Sequence, residues 1–177
     1  EESPFIHPDN QTLYFSSDYH TGMGDYDYFI ARRKDNGDWD LPNNFGYPIN
    51  SSGFELGIFV TTDGEYAYFA SDRFEGLGGL DIYRFKLSED LKPRPVTYVK
   101  GKVTSAHTKK NIKAKIELID LETNETMVYT ESDEVNGEYL VCLPVGRMYA
   151  LNVSKKKFLF HSENFSLIDY TSQKPYK

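Results

Sequence analysis

Ser71-Asp72-Arg73-Phe74-Glu75-Gly76-Leu77-Gly78-Gly79-Leu80-Asp81-Ile82-Tyr83 restates an earlier stretch of the same chain, Ser17-Asp18 through Asp27-Tyr28-Phe29, at a constant offset of 54 residues. The same shift, carried upstream without a gap, lays Phe5 on Phe59, Asp9 on Asp63 and Tyr14-Phe15 on Tyr68-Phe69. A fixed period in this range marks a stacked or radial repeat architecture. Each copy reads as an apolar strand (Phe5-Ile6, Phe59-Val60), a turn at Pro8-Asp9-Asn10 or Asp63-Gly64, and an aromatic strand (Leu13-Tyr14-Phe15, Tyr66 to Phe69). A Gly-rich turn and a further strand follow (Tyr28-Phe29-Ile30, Ile82 to Phe85). All of these pieces are strand-sized.

Outward from the repeat, residues 1–50 form one unit. Asp35-Asn36-Gly37-Asp38 is a hairpin turn, because Asn-Gly supplies the positive φ that a tight reversal needs. Trp39 is expected to start the outermost strand, and Ile49-Asn50-Ser51-Ser52-Gly53 crosses to the next unit. Residues 54–95 make the second unit, closing on Leu87 to Leu91. Lys92-Pro93-Arg94-Pro95 reads as a stiff linker, since proline fixes φ and lacks a backbone donor. The domain boundary is placed there.

From Val96 the pattern becomes plain alternation. Ile112, Ala114, Ile116 and Leu118 share one face and Lys113, Lys115 and Glu117 the other, the signature of a half-buried strand. Strands are also expected over Tyr98 to Thr104, Thr126 to Thr130, Tyr139 to Leu143, Tyr149 to Val153 and Leu159 to Leu167. Turns at Glu122-Thr123-Asn124, Asn136-Gly137 and Val145-Gly146 separate most of them. Short strands at this spacing predict a β-sandwich.

Composition divides at the same place. Before residue 96 the chain carries 18 aromatic residues and 8 Lys and Arg against 17 Asp and Glu; afterwards it carries 9 aromatics and 12 against 10. Two domains follow from that contrast. The overall net charge of −7 repels phosphate backbones and argues against nucleic acid as a partner of the first segment. No window approaches the roughly 18 apolar residues of a membrane span. The chain opens on Glu1-Glu2-Ser3-Pro4, already inside a repeat, so it carries no recognisable signal peptide and is expected to be a piece of a longer protein.

Asp18, Asp27, Asp72 and Asp81 could share a cation or a proton, yet they recur in both copies, which is how residues that hold a turn behave. Gly22, Gly24, Gly76, Gly78 and Gly79 precede no helix and are turn glycines rather than a phosphate cradle. Asp35, Asp38 and Asp40 form an acidic hairpin without the ligand order of a calcium loop. His7, His20, His107 and His161 are scattered, and no Gly-x-Ser-x-Gly is present. No catalytic, cofactor-binding or metal-binding residue is assigned. Trp39 and the tyrosines read as packing residues before sugar platforms. Cys142, the lone cysteine, reads as a buried, inert thiol. Lys155-Lys156-Lys157 reads as a solvated hairpin tip. Asn10, Asn50, Asn124, Asn152 and Asn164 begin Asn-x-Ser/Thr patterns, which mean little on their own.

Phe-x-x-Pro-Asp-x-x-x-Leu-Tyr-Phe-Ser-Ser-Asp followed by Gly and then Asp-x-Tyr resembles the TolB-like β-propeller repeat, in which each copy forms one blade. The resemblance covers Pro4 to Phe29 and Ile58 to Phe85; Thr61-Thr62 stands where that family favours Ser-Pro, and Asp25 stands where Gly79 keeps a glycine. Lys100-Gly101-Lys102-Val103-Thr104, Ala114 to Thr123, Asn136 to Gly146 and Tyr149 to Ser154 resemble the carboxypeptidase-regulatory-like, transthyretin-type sandwich over Val96 to Leu167, with Lys109-Lys110-Asn111 standing where that family often has Thr-Gly-Lys-Pro and Lys157 where a glycine is common. The resemblance implies an all-β chain: two blades of a partial propeller (1–50 and 54–95), then a sandwich (96–177) ending in a linker or a strand cut short.

In this order the two parts resemble the middle of Bacteroidetes OmpA-family envelope lipoproteins. Some members of that family serve type IX secretion at the outer membrane. There a tetratricopeptide domain precedes and a peptidoglycan-binding OmpA-like domain follows; neither flanking domain lies in this chain. The resemblance implies a periplasmic, outer-membrane-associated, non-catalytic scaffold or protein-interaction module with envelope proteins as partners, no cofactor, and peptidoglycan reached through a domain outside the chain. The alternatives are a propeller accessory module of a hydrolase and a glycan-binding module. Propellers close with about four to eight blades, so two alone are expected to pack their open faces against another copy or against the sandwich.

Overall fold

A computed structural model describes residues 1–34, 36–53, 55–71, 79–170 and 176. Its described residues form 13 strands and no helix. The chain divides into two compact units, Glu1–Pro95 and Val96–Lys177.

In the first unit, β1 (Glu2–Ile6), β2 (Thr12–Ser17), β3 (Asp27–Arg32) and β4 (Asn43–Asn44) make one antiparallel sheet in that order. A second sheet is formed by β5 (Leu56–Val60), β6 (Tyr66–Ser71) and β7 (Asp81–Lys86). The repeat is reproduced in the backbone: each bound of β5, β6 and β7 lies 54 residues beyond that of β1, β2 and β3. Register repeats as well, Phe5 facing Tyr14 as Phe59 faces Tyr68, and Ser17 facing Asp27 as Ser71 faces Asp81.

The turn chemistry explains why the copies agree. His7 N donates to Thr12 O, and Thr61 N to Tyr66 O, each at 2.9 Å. Inside those turns the Asp9 carboxylate accepts from the amides of Gln11 (2.9 Å) and Thr12 (3.0 Å), and Asp63 accepts from Glu65 N at 3.0 Å. An Asp side chain that takes up turn amides replaces the partners a hairpin end lacks.

The two sheets of this unit share one core. Tyr14, Tyr28 and Ile30 of the first sheet bury against Ile58, Val60 and Phe69 of the second, and Leu87 and Leu91 close it. Each such side chain stabilises by about 1.5–3 kcal/mol. The buried phenols are not orphaned, Tyr14 donating to Leu91 O (2.7 Å) and Tyr28 to Leu56 O (2.8 Å). On its other face the first sheet carries a smaller cluster of Phe15, Phe29 and Ala31, with Leu13 and Trp39 packed on it.

Two expectations need correction here. Trp39 does not open the outermost strand: it makes a single bridge to Arg33, and the strand that follows is the two-residue β4. Nor is the stretch before Val96 a free linker. Arg32 Nη2 donates to Asp90 O (3.1 Å) and Lys92 O (2.7 Å), Arg94 N donates to Asp9 Oδ2 (2.9 Å), and Lys92 Nζ reaches Glu65 Oε1 (2.7 Å). Residues 87–95 are a strap across both repeats.

The second unit holds β8 (Val96–Lys102), β9 (Lys115–Asp120), β10 (Thr126–Glu131), β11 (Glu138–Pro144), β12 (Met148–Ser154) and β13 (His161–Ser166). An antiparallel sheet runs β10-β9-β12-β13, and β11 pairs with β8 in a second sheet. Tyr176 lies parallel along the other edge of β8, donating to Tyr98 O (2.8 Å) and accepting from Lys100 N (3.0 Å). Val99, Val141 and Leu143 from the smaller sheet meet Ile116, Leu118, Tyr149 and Leu151 from the larger in a common core. The alternation over Ile112 to Leu118 holds in burial, but the strand begins only at Lys115. Upstream, the Ser132 hydroxyl accepts from Ala114 N (3.0 Å) and donates to Ile112 O (2.7 Å), doing there what a ladder would do.

Candidate functional site

The outer face of the second sheet in the repeat unit carries exposed apolar side chains. Cross-strand partners point to the same side of a sheet, so register puts Phe59, Tyr68 and Arg84 together, Ala70 beside Ile82, and Tyr66 beside Lys86. Ile82 is 79% exposed and Phe59 53%. The Arg84 guanidinium lies 4.6 Å from the Tyr66 ring centroid, the cation over the negative face of the ring. Shifted back by one repeat, these positions become Phe5, Tyr14, Tyr28 and Ile30. Those side chains are the ones on which the second sheet packs, Tyr28 approaching Phe69 at 6.2 Å between ring centroids, and Phe59 itself still meets Phe5 at 5.1 Å. The rest of that face, around Ile82 and Arg84, is used for docking in the first repeat and open in the second.

The carboxylates weighed from sequence are dispersed. Asp27 Oδ2 accepts from Met23 N and from Asn44 Nδ2, holding the loop between β2 and β3, and Oδ1 is buried without a hydrogen-bond partner. Asp18 is exposed at the start of that loop, and Asp81 is half-buried opposite Ser71. Asp72, Gly76 and Gly78 lie outside the described residues, as does Asp35 of the acidic hairpin. Within that hairpin Asp38 Oδ2 accepts from Asn36 Nδ2 at 2.8 Å, and Asp40 sits 3.6 Å from Lys34 Nζ. Among the described residues no three His, Cys, Asp or Glu side chains converge on a point where a metal ion would sit.

The histidines are separated too. His7 is fully buried, and its geometry fixes the tautomer: Nδ1 accepts from Asp9 N (3.2 Å), so Nε2 carries the proton and donates to Thr61 O (3.1 Å). It joins the turns of the two repeats. His20 packs its ring on Phe15 and Phe29, with centroids 6.0 and 5.2 Å away. His161 is exposed, 3.5 Å from Glu163. Trp39 lies on the Phe15 cluster, and the Arg33 guanidinium sits 4.8 Å from its ring centroid.

Cys142 departs from its reading. Val141 and Leu143 turn inward, and Cys142 sits half-buried on the opposite side of β11, because side chains alternate along a strand. Partial burial pushes its thiol pKa up, which keeps it protonated and a poor nucleophile at neutral pH.

In the second unit a cleft of about 850 Å³ opens between the edge strands β8 and β13, with Val103, Leu151, Val153 and Phe165 along it. The hairpin between β12 and β13 lines it too, where Lys155, Lys156 and Lys157 are followed by Phe158, Leu159 and Phe160. That apolar triplet was expected to open the last strand; instead it stands ahead of β13, which begins at His161. Among the described residues no helix is long and apolar enough to cross a membrane. The chain matches no protein-family model, no curated protein and no solved structure.

Proposed function

We propose that the chain is a non-catalytic scaffold or protein-interaction module of the cell envelope, built as two propeller-type blades followed by a transthyretin-like sandwich. The reading takes its envelope address and its outer-membrane association from the resemblance to OmpA-family lipoproteins. One observation carries the interaction role: the face through which the first repeat binds the second is open on the second. Repeat arrays bury such faces by stacking, and Phe59 and Ile82, exposed around a half-buried Tyr68, form the surface on which a further sheet of the same kind would dock.

In this chain that surface drives association with another copy. Sedimentation velocity over a range of concentrations is expected to show reversible self-association. Ile82→Glu places an unpaired charge in the contact and returns the chain to a monomer with its fold intact. A chain that stays monomeric at every concentration reached would end this reading of the open face.

A further inference from the structure

The hairpin joining β12 to β13 ends in Lys155-Lys156-Lys157-Phe158-Leu159-Phe160, six residues of which every one is exposed. The turn itself is defined. Phe158 N donates to Lys155 O at 3.1 Å, and Lys157 takes φ of 71°, a left-handed conformation that reverses the chain sharply. Beyond that bend Leu159 is 96% exposed, the highest value among the described large apolar residues, with Phe160 at 64% and Phe158 at 49% beside it. Isolated exposed apolar residues are ordinary, but three in a row on a projecting tip are not.

We infer that this tip is a membrane-surface wedge, in which Leu159, Phe158 and Phe160 enter the headgroup and upper acyl region of an anionic bilayer while Lys155, Lys156 and Lys157 hold lipid phosphates. Two features favour a lipid surface over a protein groove. Lysine is depleted from the cores of protein interfaces. At a bilayer it belongs, because its long apolar stem lies along the acyl boundary and its ammonium reaches the headgroups.

The local charge agrees. Glu131 and Glu134 line a shallow groove with Lys155 and Lys156, but Glu131 is paired with Lys113 at 3.0 Å, so four lysines there stand against two carboxylates. No ion pair engages Lys155, Lys156 or Lys157 among the described residues; Lys155 Nζ lies 5.9 Å from the Phe158 ring centroid, a weak contact that a lipid phosphate can displace. Membrane contact through a hairpin of this size is reversible: a single lipid chain gives only marginal anchoring, and a three-residue wedge buries less.

Co-sedimentation with vesicles tests the wedge. The probe is the chain as it stands, with phosphatidylglycerol–phosphatidylcholine vesicles against pure phosphatidylcholine, at low and high salt. Binding is expected on the anionic vesicles and weak on the zwitterionic ones, and it should fall as salt screens the lysines. Each lysine near an anionic surface strengthens partition about fivefold. Changing all three to Glu should therefore weaken it by about 100-fold or more. Leu159→Ser should weaken it about tenfold. Both variants alter exposed side chains, and their folding is checked by circular dichroism. Absence of binding to anionic vesicles would overturn the inference, as would Leu159→Ser binding as tightly as the parent. Self-association lost on Leu159→Ser without vesicle binding would overturn it in favour of a protein contact.

Discussion

Asp120 places a carboxylate where solvent does not reach, at the end of β9, and three donors make that tolerable. Arg147 Nη1 donates to Oδ2, while the amides of Glu122 (2.8 Å) and Thr123 (3.4 Å) donate to Oδ1. Burial pushes its pKa up, but the Arg147 guanidinium and the two amides outweigh it and leave the carboxyl below the ordinary carboxylate value. A carboxyl whose folded pKa is depressed stabilises the fold fully above the unfolded value of 3.8, and that contribution is lost as pH falls through the lower folded value. Asp120→Asn should therefore cost about 2–3 kcal/mol at neutral pH, the range for charged hydrogen bonds to a half-exposed arginine. The gap between parent and variant should close as pH drops below 3.8. Urea denaturation at stepped pH measures it; a gap independent of pH would remove the ion pair from the account. At this scale the sequence is legible where the backbone demands a residue type. Gly57 (φ 69°) and Gly64 (φ 71°) stand in left-handed positions whose counterparts, Ser3 (φ 49°) and Asn10 (φ 56°), adopt the same conformation without being glycine. The offset alone pairs these residues, whereas the strain at Ser3 is visible only in the backbone.

At the scale of the element, the question is what pairs the outer edge of β3. The two residues of β4 cover Phe29 and Ile30, and at the end of that pairing Phe45 N donates to the Tyr28 carbonyl at 3.0 Å while the Tyr28 amide turns to a side chain. Asn50 supplies it: Oδ1 accepts from Tyr28 N at 2.8 Å, and Nδ2 donates to Tyr28 O at 3.0 Å and to Asn44 Oδ1 at 2.7 Å. One amide thus does the work of another strand residue, and it is fully buried. Asn50→Leu keeps the branched shape and removes the side chain's donors and acceptor. It should cost about 2–3 kcal/mol, because the bonds from Asn50 to the Tyr28 backbone and to Asn44 are lost in a buried site. The same change at exposed Asn164 should stay within about 0.5 kcal/mol. Thermal denaturation measures both costs, and hydrogen exchange at the Tyr28 amide should quicken in the first variant alone. An unchanged Tyr28 exchange rate would show that the clamp is dispensable. Strand positions were readable because alternation and the offset are local, and so were the Asp9 and Asp63 turns. Asn50 was not: in sequence it is one more Asn-x-Ser pattern, and its partner lies 22 residues away. The triplet Phe158 to Phe160 misled for the opposite reason, since apolar residues next to a strand look like strand until the turn at Lys157 is known.

For the whole molecule, what the sequence hides is how the first unit is closed. A Pro-rich stretch at a change of composition reads as a linker, yet Leu87 and Leu91 are 3% and 6% exposed and belong to the core shared by the two sheets. The carbonyl of Leu91 accepts from Tyr14, and Arg32 holds the carbonyls of Asp90 and Lys92. These bonds cross 58 to 77 residues, so no local pattern announces them. They give the strap a specific thermodynamic signature. Leu91→Ala opens a cavity in the repeat core and should cost about 2–4 kcal/mol. In a unit of this size 1 kcal/mol moves the midpoint by about 4–8 °C, so one calorimetric transition should drop by about 10 °C or more. The transition of Val96–Lys177 should stay in place, since its core draws on none of the same side chains. Asp120→Asn should do the reverse, lowering that second transition and sparing the first. If Leu91→Ala moved both transitions together, the two units would not unfold independently; if it moved neither, the residues before Val96 would be a passive tether and the first unit would close by some other means.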